Sequence, residues 1–194
     1  MALNIRFSKR CATVSVGIVA LLFTGSPTQA VTINFAAVIA NATCQISLNK
    51  SSLYLGSVPL KVLSTGNVLA LSQPVSLQIR RCEGVAGGGL KPRVKVSGEG
   101  FSAAGDNKWL FRSADSQAKG VGILLMQGEK PPGYEQAEVK HGDYLTVGSA
   151  NVVPIDTDIP LYVGVSCGAN AACRSNTIKP GRLTARIIFD FTYL

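Results

Sequence analysis

Hydrophobic and polar residues alternate over the last fourteen positions of the chain, Gly181 to Leu194. Neighbouring side chains of a β-strand point to opposite faces, so this alternation predicts a strand with one apolar face. A helix would instead place Arg186 beside Leu183 on one face, which mixes charge with core. The free edge of this last strand must be paired, covered or blunted, and the last strand of any β-sandwich would show the same pattern. The apolar positions are Leu183, Ala185, Ile187, Phe189, Phe191 and Tyr193.

A second alternating segment lies near the start of the chain. It leads into Cys44, after which the strand pattern resumes over 45–48. Two interpretations stand at this point: an ordinary first strand of the domain, or an extension that serves as a strand for another molecule. The alternating apolar positions are Val31, Ile33, Phe35, Ala37 and Ile39.

Short segments with a strand pattern, separated by Gly, Pro and Asn turns, fill the middle of the chain. With 20 Gly and 9 Pro and few helical patterns, they predict an all-β sandwich of the immunoglobulin-like type. The segment 53–60 is predicted to be a strand followed by a turn. Further strands are predicted over 75–82, 92–97, 118–126 and 159–165.

Composition and charge narrow the class of protein. A length of 194 residues fits one domain, or at most two small ones. The chain is 46% hydrophobic and 15% charged, which argues against disorder. The net charge is +8, and removal of three basic residues with a signal segment leaves 8 − 3 = +5. The basic residues are scattered and have no interleaved aromatic residues, so nucleic-acid binding is not predicted. The remaining charge favours solubility or attraction to an acidic partner.

Residues 1–30 have the organisation of a secretory signal peptide. Arg6, Lys9 and Arg10 precede an apolar run over 12–23, which is too short to span a bilayer. Small residues up to Ala30 predict cleavage after it, which leaves 31–194 as the exported product.

Export to an oxidising compartment predicts disulfides for the four cysteines after residue 30, which allow three pairings. We predict a Cys167–Cys173 bond, since these residues flank a short loop of small side chains, and with it Cys44–Cys82. The longer bridge would contribute roughly 4 kcal/mol by chain-entropy estimates. His141 is the only histidine and has no partner at ligand spacing, so no metal, cofactor or catalytic site is predicted.

Several landmarks together resemble the subunits of chaperone–usher pili, the type 1 and P pilus family. The family has a penultimate Tyr, here Tyr193, and a Gly fourteen positions from the end, here Gly181. It also has an alternating N-terminal extension before a Cys that pairs with a second Cys further along, as Cys44 and Cys82 would. The resemblance extends over nearly all of 31–194.

This resemblance implies an incomplete immunoglobulin-like sandwich that a neighbouring subunit completes by donor-strand complementation. The regions would be a cleaved signal peptide at 1–30, a donor-strand extension at 31–43 and a pilin domain at 44–194. The residues Gly181 to Leu194 would form the groove edge, which a periplasmic chaperone covers first. The carboxylate of Leu194 would anchor in that chaperone. The outer-membrane usher and neighbouring subunits would be the other partners, and the product would reach the fimbrium at the cell surface.

Three features depart from the family pattern. Ala37 stands where Gly is usual, Leu194 stands where a polar residue is common, and the Cys167–Cys173 pair is not general. The first and third favour a minor or adaptor pilin involved in cell adhesion. The alternatives are a fibre-terminating or anchor subunit, and a secreted carbohydrate-binding β-sandwich of one domain.

Overall fold

Two antiparallel β-sheets make up the fold in the computed structural model, which describes residues 41–174 and 176–194. The predicted signal peptide, 1–30, and residues 31–40 of the predicted donor-strand extension lie outside this part of the chain. The described elements are β1 (Asn41–Leu48), α1 (Leu60–Leu63), β2 (Ala70–Val85), β3 (Pro92–Ser97), β4 (Gly100–Ser102), β5 (Trp109–Phe111), β6 (Gly122–Gln127), β7 (Tyr144–Thr146), β8 (Thr157–Ser166) and β9 (Ile188–Tyr193).

The larger sheet has the strand order β1–β2–β8–β6–β5–β4, and the smaller sheet has the order β7–β3–β9. β9 therefore lies at the edge of the smaller sheet, paired with β3 and with no described strand hydrogen-bonded to its other edge. No helix among the described residues is long and apolar enough to cross a membrane.

Apolar side chains from both sheets meet in one core. Leu77 of β2, Val94 and Val96 of β3, and Leu161 of β8 belong to it, and each is at most 1% exposed. Along β3 these buried positions alternate with exposed or half-exposed ones, as expected for a sheet with one face on the core. The all-β sandwich predicted from the sequence is confirmed.

Both disulfides predicted from the sequence are present. Cys44–Cys82 joins β1 to β2 beside a shift in their register between Thr43 and Gln45. Cys167–Cys173 closes a short loop directly after β8. The register of β1 starts with Asn41 opposite Val85, so residues 41–43 pair within this domain.

The segment 53–60 is not the predicted strand and turn. It has no regular structure up to Pro59, after which α1 begins. Gly56 has a φ of +95°, which breaks an extended run, and Pro59 has the φ of −63° that suits the start of a helix. Tyr54 is 84% exposed, whereas Leu55 and Val58 are half-buried against an apolar cluster that includes Cys167.

The C-terminal strand is shorter in the sheet than its sequence pattern. β9 covers Ile188–Tyr193. The preceding residues, 182–187, keep the alternating sequence pattern but do not pair with a strand. The reason is that β3 ends at Ser97, opposite Ile188, and the irregular segment 113–118 then takes its place. The segment 113–118 forms hydrogen bonds with 182–184, but its irregular backbone does not continue the regular β-ladder.

Candidate functional site

A groove of about 800 Å³ runs beside the C-terminal strand. Inner-face residues of the larger sheet line one side, among them Leu125 and Leu161, which are at most 1% exposed. The segment 48–63, from the end of β1 through α1, and the segment 178–189, which includes the start of β9, contribute most of the remaining lining. The groove therefore lies where one more strand beside β9 would close the sandwich.

The hydrogen bonds of β9 all lead to one side. The N–H of Leu194 donates to the carbonyl oxygen of Lys91 at 3.0 Å, and the N–H of Lys91 donates back to Leu194 at 2.6 Å. Residues two apart on a strand face the same neighbour, so Asp190 and Thr192 also bond towards β3. Phe189 and the alternate residues with it turn their N–H and C=O groups to the opposite edge.

The alternation of hydrogen-bonding directions continues in the residues before β9, where the segment 113–118 replaces β3 as the partner. The carbonyl oxygen of Arg182 accepts hydrogen bonds from two backbone N–H groups of that segment, at 2.8 and 3.0 Å. The carbonyl oxygen of Thr184 accepts two more at 2.8 Å, one from a backbone N–H and one from the Ser116 hydroxyl. The backbone groups of even-numbered residues thus point to the segment 113–118, and those of odd-numbered residues such as Ala185 point to the groove edge.

The side chains of the odd-numbered residues point to the groove without being fully covered. Ile187 is half-buried and lines the groove, while its neighbour Ile188 is 55% exposed on the outer face. Main-chain groups and apolar side chains are therefore offered together along one edge, which is the arrangement that an added strand recognises. The predicted edge residues that line the groove are Gly181, Leu183, Ala185, Ile187 and Phe189.

The last predicted edge residues lie past the groove. Tyr193 is 5% exposed, and its ring packs edge-on against Phe191 with centroids 5.3 Å apart. Burial raises the pKa of the Tyr193 hydroxyl, which has no hydrogen-bond partner in the described part of the chain. Leu194 is 47% exposed and continues the pairing with β3. These residues fix the end of the strand against the sandwich.

An ion pair holds the outer face of the segment before β9. Arg186 donates to both carboxylate oxygens of Asp115, at 2.9 and 3.2 Å. The hydrogen bond from Arg186 holds the pKa of Asp115 below its ordinary value. Both groups are exposed, so the pair orients the segment and contributes little to the free energy of folding.

The Cys167–Cys173 disulfide lies behind one end of the groove. Both cysteines are at most 1% exposed and belong to an apolar cluster with Leu63, Val165 and Ile178. These three residues also line the groove. The sulfur of Cys167 lies 3.2 Å from the carbonyl oxygen of Leu63, so the bridge contacts α1 directly. The disulfide is therefore placed to support this part of the groove wall.

Sequence reasoning did not identify the segment 48–63 or the large-sheet residues as part of this site. The alternating pattern near the C-terminus predicted a strand with a free edge, and the resemblance to pilus subunits implied a groove beside it. The predicted donor strand, Val31 to Ile39, lies outside the described residues. Within 41–174 and 176–194, no group of three or more His, Cys, Asp or Glu side chains is arranged to hold a metal ion.

Comparison with known proteins gives no match to a protein-family model or to a curated protein. Among solved structures, the chain is similar to the P pilus rod subunit PapA, with 19% identity, a TM-score of 0.49, and coverage of 78% of this chain and 99% of that one. It is also similar to a chaperone–usher pilus described for its rod uncoiling. There the identity is 16%, the TM-score 0.48, and the coverage 87% of this chain and 98% of that one.

Proposed function

We propose that this protein is a structural subunit of a chaperone–usher fimbria, and that it polymerises by exchange of N-terminal strands. The observation that carries the proposal is the apolar groove along a strand edge that no described strand pairs. In this proposal, Val31 to Ile39 inserts into the groove of a neighbouring subunit. The resemblance noted in the sequence supports a minor or adaptor position and a role in cell adhesion.

Strand insertion would stabilise the edge in two ways, through main-chain hydrogen bonds and through burial of apolar side chains. The outward N–H and C=O groups of residues such as Ala185 and Ile187 would gain main-chain hydrogen bonds. The side chains of Ile33, Phe35 and Ile39 would enter the groove, and three large apolar side chains contribute roughly 5–9 kcal/mol of burial before ordering costs. Closing a whole sandwich core in this way favours a slow dissociation rate.

The same edge would need a temporary cover before assembly. A bare strand edge with an apolar face promotes aggregation. We propose that a periplasmic chaperone supplies a strand here, that the exposed end at Leu194 is where its carboxylate is held, and that an outer-membrane usher receives the complex. The protein would then act at the cell surface as a fibre component and not as an enzyme.

A displacement experiment tests the proposal. The subunit purified with its chaperone is mixed with a synthetic peptide of Val31 to Ile39, or with its Phe35→Arg form. We expect the first peptide to release the chaperone and raise the melting temperature of the subunit, and the second to do neither, because Arg would bury an unpaired charge.

A matched pair of subunit variants locates the binding site. Ile187→Arg places a charge in the groove, whereas Ile188→Arg makes the same change on the outer face one residue later. We expect the first variant to lose peptide binding and the second to keep it. If the peptide binds neither the unmodified subunit nor the variants, the groove does not take this donor, and a terminating subunit or a carbohydrate-binding sandwich becomes the better account.

A further inference from the structure

The charged residues that line the groove all have the same sign. Lys50 lies on the segment after β1, and Lys179 and Arg182 lie on the segment before β9. All three are exposed, and the described lining contains no acidic side chain. An apolar groove with a basic rim results.

These charges are not neutralised by the described part of the protein. None of the three side chains takes part in an ion pair there. Asp115 lies near enough to Arg182 for that charge to lower the carboxyl pKa, but Arg186 already occupies both carboxylate oxygens. The basic rim is therefore available to a ligand of opposite charge.

One contact concentrates positive charge at the rim. Lys179 and Lys119 lie directly opposite each other, each backbone N–H donating to the other's carbonyl oxygen at 3.1 Å. Like charges at directly opposed positions destabilise a pair of strands. An acidic group near this position would remove that repulsion.

The chain's own predicted donor strand does not supply such a group. The segment 31–40 contains no Asp, Glu, Lys or Arg. After cleavage behind Ala30, as the sequence predicts, its free amino group would add a positive charge. A second copy of this chain would thus fill the groove without neutralising its rim.

We infer that the groove takes a donor strand with acidic side chains on its outward positions, and that the donor is a different subunit. This inference rests on the proposed function and concerns the identity of the partner. Side chains alternate along an inserted strand, so inward apolar residues fill the groove while outward ones reach the rim. Opposite charge on the outward positions speeds association and adds selectivity, and both effects weaken with salt.

Three peptides provide the test with the purified exported protein. The first is 31–40 itself, whose outward positions include Thr32 and Asn34. The second carries Thr32→Asp and Asn34→Asp, and the third carries Thr32→Lys and Asn34→Lys. Affinities are measured at about 0.01 M and about 1 M salt, where the screening length falls from about 30 Å to about 3 Å.

We expect the acidic peptide to bind about 3- to 10-fold more tightly than the unmodified one at low salt, and the lysine peptide to bind more weakly. The differences should vanish at high salt. Lys179→Glu with Arg182→Glu should reverse the order of the peptides, and Lys50→Glu alone should reduce the difference. The control variant, Lys130→Glu with Lys140→Glu, changes net charge equally at exposed sites outside the groove lining and should keep the order.

Equal affinities of the three peptides at low salt would overturn the inference while leaving the proposed function in place. An unchanged order in the groove variants would do the same. Failure of every peptide to bind at either salt concentration would instead overturn the proposed function, and the inference about the partner with it.

Discussion

Gly181 stands at the point where the chain enters the groove edge, and its backbone and surroundings both require glycine. Its φ is +154°, and a Cβ atom there would lie 2.9 Å from the backbone nitrogen of Ala118 and from the Cβ of Gln117. The contact with a backbone atom leaves no flexible side chain to move aside. The family landmark seen in the sequence thus has a local physical cause.

We expect Gly181→Ala to lower the free energy of unfolding by roughly 1–3 kcal/mol, because it adds both strain and a close contact. Gly133→Ala is the control, since a Cβ there meets no atom within 4 Å. Urea denaturation of the two variants measures the difference. Equal stability of the variants would show that the approach to the groove edge is not as close as described.

Glu138 and Lys108 form a largely buried ion pair away from the groove. The Lys108 ammonium lies 3.3 Å from a carboxylate oxygen of Glu138 and also donates to the carbonyl oxygen of Gln136 at 2.8 Å. Burial alone would raise the pKa of Glu138. Hydrogen bonds from its own backbone N–H and from Lys108 outweigh burial and place the pKa below the ordinary value of 4.5.

This lowered pKa predicts an acid-dependent stability. The ionised Glu138 contributes fully above its ordinary pKa, and its contribution is lost as the pH falls through the lower pKa of the folded state. Glu138→Gln should cost roughly 1–3 kcal/mol near pH 7 and progressively less towards about pH 3. The exposed neighbour Glu135→Gln should change stability by less than about 0.5 kcal/mol at both pH values. A constant deficit for Glu138→Gln would contradict the assigned shift.

Among the elements, the two disulfides provide a comparison of loop length. Cys44–Cys82 closes a separation of 38 residues, and Cys167–Cys173 closes one of 6. Chain-entropy estimates give about 4 kcal/mol for the first and about 2 kcal/mol for the second. The second bridge, however, lies at one end of the groove wall, where the sulfur of Cys167 is 3.2 Å from the carbonyl oxygen of Leu63.

We therefore expect opposite rankings for stability and for strand binding. Replacing Cys44 and Cys82 by Ala should lower the free energy of unfolding more than replacing Cys167 and Cys173. The second replacement should nevertheless weaken binding of the Val31 to Ile39 peptide more strongly. Denaturation and peptide titration on the same two double variants measure both quantities, and the same ranking in both would argue against support of the groove by the shorter bridge.

The elements that line the groove differ in how well the sequence predicts their place in it. The edge was predictable because apolar residues from Leu183 to Tyr193 repeat with the period of a strand. The wall formed by 48–63 was not, because half-buried Leu55 and Val58 lie on irregular backbone beside exposed Tyr54 and Leu60, where burial follows no fixed period. The contribution of β2, β6 and β8 was hidden for a different reason. Which inner-face residues stay uncovered depends on strand order, and local patterns do not encode strand order.

At the scale of the whole molecule, the sandwich is asymmetric. Six described strands face three, and β9 borders the groove at the edge of the smaller sheet. The proposed function assigns this missing place to a strand from another chain. The proposed function therefore depends on one edge of one strand, where alternate residues have different hydrogen-bonding environments.

Residue-resolved hydrogen exchange of the exported protein, with and without the Val31 to Ile39 peptide, tests that claim most directly. Without peptide, N–H groups turned towards β3 or Ser116 should exchange slowly, and those turned to the groove should exchange fast. The peptide should slow only the second set. Equal protection of both sets before addition, or no change on addition, would contradict the account. The first set is Thr184, Asp190, Thr192 and Leu194, and the second is Leu183, Ala185, Ile187 and Phe189.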